Sequence, residues 1–396
     1  MKIRGCVLAD IHIGAFDVEK QLHELSAGIF TYLHKLKQLD LLVICGDFFD
    51  KLFPLNSIEA LYARKVLIQF AKICEELNTV LRIVYGTESH DSHQYEIFKD
   101  IFESRGIDYK IIQYAESEIL FDDVHILYLP EEYIDNKGTY YANLFQEEKS
   151  YDYVFGHGVI REGMKEAALN MDNAESSSRK KVPVFSAGEL KRICKGDVYF
   201  GHYHVNCEML ENVFYIGSYS RWIHGEPEQK GWYEFSFDTE KKKYKRNFLI
   251  NQNAEIYQTI SFGYNHPIFQ DNDSLEEGLK HIDKLIKSKV FDHIRFEFNV
   301  PETCENPEYV IKTIKNRYKD IKSVKTNITH GYIEKKKEDM KKEIDRENEK
   351  YSFIFDKSIP KDEMLSSYIA LDFDYEIPAN KVSRYLYSSL EDILNE

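Results

Sequence analysis

The chain has 396 residues, of which 43% are hydrophobic, and a formal net charge of −15 at pH 7. This length and apolar content are enough for two or three packed domains. No apolar run approaches the length of a membrane span or resembles a secretory signal, so we expect a soluble cytoplasmic protein without a membrane partner. Six widely spaced cysteines, with no Cys-x-x-Cys pair, are typical of reduced thiols. The acidic balance argues against attraction of DNA to the whole surface, but it leaves room for a local basic groove.

Strand and helix patterns alternate in the first part of the chain. Apolar runs at Ile3–Ala9, Leu41–Cys45 and Val80–Tyr85 predict buried strands, and residues at helical spacing lie between them. This βαβα order predicts a mainly parallel sheet covered by helices. Later apolar runs, at 213–216 and 231–237, lack a long intervening helix and predict a second, more antiparallel sheet. The expected fold class is α/β, with two packed sheets flanked by helices.

Acidic and histidine side chains follow five of the predicted strands. In chain order the motifs are Asp10-Ile11-His12, Gly46-Asp47-Phe48-Phe49-Asp50, Ser89-His90-Asp91, Gly156-His157 and Gly201-His202-Tyr203-His204. The carboxyl edge of an α/β sheet is where such proteins place their chemistry, so we expect these side chains to meet there. A single histidine after a strand is best interpreted as an ordinary core or surface residue. Five such motifs, each following a predicted strand, favour a shared site.

The residue types in these motifs suit metal ions. Carboxylate oxygens mixed with imidazole nitrogens bind Mn²⁺, Fe²⁺ or Zn²⁺, and no thiolate is offered. The ligands are too many for one ion. Two ions about 3.5–4 Å apart that share one carboxylate would use them all, and would clamp both oxygens of a phosphoryl displacement.

The order of the motifs resembles the calcineurin-like metallophosphoesterase superfamily. Within it, the chain is most similar to the nuclease subunit of the SbcCD type, a group that includes phage recombination nucleases. The narrower resemblance depends on the run Leu8-Ala9-Asp10-Ile11-His12-Ile13-Gly14, on Tyr215-Ile216-Gly217-Ser218 and on the following Arg221. It covers about the first 235 residues.

The resemblance implies roles for the motif residues and a metallophosphoesterase sandwich of two sheets. One metal ion would be held by Asp10, His12 and His204. The other would be held by His157 and His202, with Asp47 bridging the two ions. His90 would donate a proton to the leaving oxygen, oriented by Asp91, and the two ions would be Mn²⁺.

One motif departs from the family pattern. The family has Gly-Asn-His-Asp, in which the Asn is a metal ligand, whereas this chain has Gly86-Thr87-Glu88-Ser89-His90-Asp91. Ser89, Glu88 or water must replace the missing amide oxygen, and the sequence does not choose between them. Asp50 stands where some family members have a further histidine.

A possible phosphate contact lies between the fourth and fifth motifs. Arg161, Lys165 and the run Ser176-Ser177-Ser178-Arg179-Lys180-Lys181 carry its positive charge. A solvated surface loop is an equally good interpretation. Among the histidines outside the motifs, we single out His224 for a test of substrate contact.

The rest of the chain divides into two regions after the nuclease domain at 1–250. Residues 251–332 carry helix and strand patterns typical of a small α/β domain, which in the resemblance caps DNA over the metals and otherwise is a structural appendage. Residues 334–350 contain seven acidic and seven basic side chains, which predicts a solvated helical linker. Two short amphipathic patterns complete the region 333–396, and they either fold back on the cap or dock on a partner.

These observations lead to a functional hypothesis. We expect a DNA nuclease subunit, a duplex exonuclease and single-strand endonuclease that acts in DNA end processing, repair or recombination. The chain has no phosphate-binding loop of the Gly-x-x-x-x-Gly-Lys-Ser/Thr type, so an SbcC-type coiled-coil ATPase would be the partner, docked by the C-terminal helices. The sequence does not indicate whether two copies of the chain form a dimer. The alternatives are a metallophosphoesterase for small phosphodiesters or phosphoproteins, and a noncatalytic DNA-tethering scaffold.

Overall fold

A computed structural model of the protein describes residues 1–146, 150–163, 183–226, 228–288, 291–319 and 324–329. Its strands are β1 (Lys2–Leu8), β2 (Leu41–Cys45), β3 (Val80–Val84), β4 (Tyr109–Ile112), β5 (Glu116–Leu120), β6 (Val124–Leu129), β7 (Tyr151–His157), β8 (Val159–Ile160), β9 (Val184–Phe185), β10 (Cys194–Gly201), β11 (Cys207–Leu210), β12 (Val213–Tyr215), β13 (Gly231–Asp238), β14 (Lys243–Ile250), β15 (Tyr257–Phe262), β16 (His293–Pro301) and β17 (Val324–Thr329). Its α-helices are α1 (Val18–Leu25), α2 (Thr31–Leu33), α3 (Ile58–Leu77), α4 (Glu88–Asp91), α5 (Lys99–Glu103), α6 (Lys137–Tyr140), α7 (Ala187–Ile193), α8 (Asn272–Ser288) and α9 (Pro307–Arg317). The predicted mixed α/β class is confirmed.

The first sheet has six strands in the order β14-β13-β1-β2-β3-β4. Strands β1 to β4 are parallel, and β13 pairs antiparallel with β1. All five residues of β2 are apolar and buried, as a strand covered on both faces requires. Helix α3 is capped by the preceding residue, Ser57, whose side chain accepts a hydrogen bond from the Ala60 N–H.

The second sheet differs from the sequence prediction. Its order is β11-β12-β10-β7-β6-β5, and its four central strands are parallel, with antiparallel strands only at the edges. The expectation of a more antiparallel sheet was therefore wrong. The segment from β7 to β10 includes α7, which provides the crossover that parallel neighbours need. The predicted strand at 231–237 is β13, which extends the first sheet instead.

The two sheets pack face to face, and helices cover their outer faces. Val7 and Val43 of the first sheet share a buried cluster with Phe155 and Tyr199 of the second. A second cluster joins the other face of the first sheet to α3, and a third joins the second sheet to α7. The result is a layered order of helix, sheet, sheet and helix, built on burial of apolar surface.

The carboxyl ends of the two sheets meet at one edge. The backbone N–H of Asp10, just after β1, donates to the Gly46 carbonyl oxygen after β2 at 3.1 Å. The His202 N–H, just after β10 of the other sheet, donates to the Asp10 carboxylate at 2.9 Å. Parallel strands of both sheets therefore deliver their following residues to a common place.

The described part of the chain divides into two compact units, one made of Met1–Thr259 with Ser288–Arg295 and the other of Ile260–Lys287 with the described residues from Phe296 to Thr329. In the second unit β16 and β17 are parallel, and buried residues of α8 and α9 include Leu279 and Ile314. The Arg317 guanidinium lies 2.7 Å from the Asp283 carboxylate and 2.9 Å from Glu276. The predicted linker and C-terminal helices of 333–396 lie outside the described residues. In the part of the chain that the structure describes, no helix is long and apolar enough to cross a membrane.

Candidate metal centre

Three groups of potential metal ligands lie at the shared edge of the sheets. They are Asp10, His12 and His204; Glu131, His157 and His202; and Asp10, Asp47 and His157. Within each group the ligand atoms lie within 4.8 Å of one another. Because Asp10 and His157 belong to two groups each, the three groups form one continuous cluster.

The backbone at the cluster is strained. Asp10, His12, Asp47 and His202 have φ values of 48°, 47°, 48° and 95°, in the region that L-residues avoid. Each such residue costs about 1–3 kcal/mol and persists only where its surroundings impose the conformation. Such strain is concentrated at functional sites, so its presence at four cluster residues supports a functional role for this edge.

The two histidines of the first group direct nitrogens at each other. His12 Nε2 lies 3.1 Å from His204 Nε2. The other ring nitrogen of His204 is 3.2 Å from the Glu226 carboxylate, and the buried Lys230 ammonium is 3.3 Å from the same carboxylate. A carboxylate at Nδ1 fixes the tautomer and leaves Nε2 free for a metal ion. Burial lowers the pKa of His12 to about 4, so this ring is neutral as a ligand must be.

His157 connects the second and third groups. Its Nε2 lies 3.3 Å from Asp47 and 3.4 Å from Asp10, while its Nδ1 lies 3.0 Å from Glu131. The Glu131 carboxylate is also 3.1 Å from His202 Nδ1. Glu131 is therefore placed either to bind a metal ion beside His202 or to orient His157 toward the ion between the aspartates.

The cluster carries negative charge that needs a cation. Asp10, Asp47 and Glu131 are buried, and their ion pairs are with histidines, which neutralise a carboxylate only when protonated. Burial lowers the pKa of His157, yet the Asp47, Asp10 and Glu131 carboxylates raise it to a net value well above the ordinary one. Buried carboxylates of this kind are normally paired or coordinate metals. Divalent cations would supply the charge that the site attracts, so the donor set fits metal ions.

Asp91 has a different position from the one expected. Its buried carboxylate accepts hydrogen bonds from the backbone N–H groups of Asp47, at 2.9 Å, and Gly86, at 2.9 Å, and from others after β2. It thus ties together the segments that follow β2 and β3. We expected Asp91 to orient His90, but the Nδ1 atom of His90 contacts the Asp50 carbonyl oxygen instead. His90 still borders the cluster, with its ring centroid 4.9 Å from that of His12.

The run that departs from the family pattern brings a different residue to the cluster. Ser89 and Glu88 are exposed on α4, and Glu88 belongs to none of the three groups. The Thr87 backbone N–H donates to the Asp47 carboxylate at 2.7 Å, and the Thr87 hydroxyl lies 3.3 Å from Glu131. The carboxylate near His157 and His202 is thus Glu131, which follows β6 and which the sequence interpretation missed. A carboxylate at a strand end was the available signal.

Other predicted contacts have structural partners. Arg221 donates to the backbone carbonyl oxygens of Glu226, at 2.9 Å, and Glu255, at 3.3 Å, so it ties its own loop to the segment before β15. His224 Nδ1 lies 3.3 Å from the Thr259 hydroxyl. Arg161 is exposed, whereas Lys165 and the run at 176–181 lie outside the described residues.

Comparisons with known proteins add little. No protein-family model matches the chain, and no curated protein matches it at a significant level. Among the solved structures that match, one has 14% identity over 63% of this chain and 99% of that chain, with a TM-score of 0.33. A likeness of this strength carries no argument about fold or function.

Proposed function

We propose that the protein is a phosphodiesterase with two metal ions, of the calcineurin-like class, and that it acts as a DNA nuclease. The observation that carries this proposal is the continuous cluster of three ligand groups that share Asp10 and His157. One ion would lie among Asp10, His12 and His204, and the other near His157 and His202. The mixture of oxygen and nitrogen donors favours Mn²⁺.

Two bound ions would activate a water molecule and stabilise charge on both the attacking and the leaving oxygen of a phosphodiester. The Asp47 carboxylate would bridge the ions. Its loop is held rigid by the Asp91 carboxylate, and the Thr87 N–H fixes one of its oxygens at 2.7 Å. This support keeps the ligands in place without the substrate.

His90 would be the general acid. Its Nδ1 contacts the Asp50 carbonyl oxygen, a partner that accepts a hydrogen bond, so Nδ1 carries a proton. As a general acid the ring would have to be the doubly protonated imidazolium, which would give its Nε2 proton to the leaving sugar oxygen and keep the Nδ1 proton on the Asp50 carbonyl oxygen. The ring borders His12 without belonging to the ligand groups, which suits a residue that moves protons rather than holds metal.

The sequence resemblance of the runs at 8–14 and 215–218, with Arg221, supports DNA as the substrate and an SbcC-type ATPase as the partner. The second compact unit would be the cap, and the chain beyond residue 332 would provide the partner-binding helices. A metallophosphoesterase for small phosphodiesters would use the same centre, so the substrate must be tested directly.

The test compares His202→Ala, Asp47→Ala and His90→Ala in the full chain. The first two remove ligands and should abolish bound Mn²⁺ together with cleavage of single-stranded DNA. His90→Ala should keep its metal and lose about 10²–10⁴-fold in turnover. Equal metal loss in all three variants contradicts the role of His90. Rapid turnover of bis-p-nitrophenyl phosphate without any DNA cleavage contradicts the nuclease assignment.

A further inference from the structure

Trp222 lies against the ligands of the first metal group. Its ring centroid is 5.0 Å from that of His12 and 5.0 Å from that of His204. The side chain is partly exposed, unlike Trp232, the other tryptophan of the chain, which is 4% exposed in the core. A partly exposed aromatic ring thus lies beside two of the proposed ligands of the first ion.

The loop that carries Trp222 is rigidly held. The preceding Arg221 binds backbone carbonyl oxygens of Glu226 and Glu255. Lys230 Nζ donates to the Ser218 hydroxyl at 2.8 Å, just before the loop. An aromatic ring held in this way loses little conformational entropy when a ligand stacks on it.

The charge of the chain adds a second reason to assign Trp222 a role. With a net charge of −15, the protein cannot rely on general attraction for the phosphate backbone. Base stacking on an aromatic side chain supplies affinity that needs no positive charge and tolerates any sequence. The Trp222 ring contacts His12 and His204, which are proposed ligands of the first ion. A base attached to the sugar next to the metal-bound phosphate would therefore lie within one nucleotide of this ring.

We propose that Trp222 stacks on the nucleobase next to the phosphate held at the metal centre. The preferred substrate is then a strand with an unstacked base, as in single-stranded DNA or a frayed end. This inference rests on the proposed function. If the Trp222 ring only shielded His12 and His204, its removal would change metal binding. It would not weaken the binding of a strand with bases more than that of an abasic strand.

The test is a double-mutant cycle between residue 222 and the base. The full chain, with His90→Ala to slow cleavage and Mn²⁺ bound, is titrated with oligothymidylate and with an abasic strand of equal length. Trp222→Ala should weaken oligothymidylate binding by about 5- to 150-fold, as expected for one lost stack, while Trp222→Phe restores most of it. Binding of the abasic strand should be the same in all three proteins. Metal content is measured in each variant.

Fluorescence provides an independent readout. In a Trp232→Phe chain, Trp222 is the single tryptophan, and its emission should be quenched by oligothymidylate but not by the abasic strand. Equal weakening of both strands by Trp222→Ala, or equal quenching by both, overturns the stacking assignment and leaves the nuclease proposal intact. Failure of the parent protein to bind either strand, with the metal in place, overturns the proposed function as well.

Discussion

Glu131 and Glu132 offer a matched pair of variants for testing the metal centre. Both are 7% exposed and adjacent in the chain, but only Glu131 faces His157 and His202. The Glu132 carboxylate accepts instead from the Ala115 N–H, at 3.1 Å, and from tyrosine hydroxyls. We expect Glu131→Gln to weaken the second ion and Glu132→Gln to leave both ions bound.

The size of the effect follows from the position of Glu131. Loss of a group that binds or orients a metal ligand typically costs 10–100-fold in metal affinity, or about 1.4–2.7 kcal/mol. At a Mn²⁺ concentration 100 times the dissociation constant, one site stabilises the fold by about 2.7 kcal/mol. The Glu131→Gln variant would keep only about 0.4–1.4 kcal/mol of that stabilisation.

The assay combines calorimetric titration with Mn²⁺ and thermal unfolding with and without the ion. The parent and Glu132→Gln should show the same metal-induced rise in melting temperature, and Glu131→Gln a smaller one. The role assigned to the Glu131 carboxylate would be refuted if Glu131→Gln weakened the binding of both ions, or if it left the affinity for the second ion unchanged. An equal loss in Glu132→Gln would show that the effect is general destabilisation.

Three further predictions concern the fold and the C-terminal region. Burial raises the pKa of Glu24 to about 7 from 4.5, so it contributes stability below about pH 4.5 that is lost as the pH rises through 7. Glu24→Gln should remove this pH-dependent fall in the free energy of unfolding, which is at most about 3 kcal/mol. Thermal melts of both proteins at pH 5 and pH 8 would detect the difference. Gly86→Ala would place a Cβ 2.2 Å from the Asp47 backbone nitrogen, so it should lower the free energy of unfolding by about 1–3 kcal/mol and reduce bound metal. Gly263→Ala, whose Cβ would lie in open space, should change neither, and chemical denaturation with metal analysis compares the two. Ending the chain near residue 359 should abolish co-purification with an SbcC-type ATPase and retain cleavage of single-stranded DNA, and undiminished ATPase binding would contradict the docking proposal.

The clustering of these candidate ligands was largely predictable because they lie at the ends of strands or just after them. A residue after a buried parallel strand lies at the carboxyl edge, so the motifs containing Asp10, Asp47, His157 and His202 could be expected to meet. Glu131 follows a strand by the same rule, but a second glutamate stands beside it. Which of the two faces the cluster depends on the direction of the chain after β6, which the sequence pattern does not encode.

Two other differences have similar physical origins. The role of Asp91 could not be read from its neighbour His90, because its partners are backbone N–H groups that come from a distant segment. The second sheet was expected to be more antiparallel than the first because no long helix separates the predicted strands at 213–216 and 231–237. The shorter helix α7 on the way to β10 was overlooked, and parallel pairing was therefore underestimated.

The most direct test of the metal centre is anomalous diffraction from crystals of the full chain grown with Mn²⁺. We predict two peaks, one among Asp10, His12 and His204 and one beside His157 and His202. The absence of both peaks at saturating Mn²⁺, or peaks only at other places in the molecule, would contradict the account.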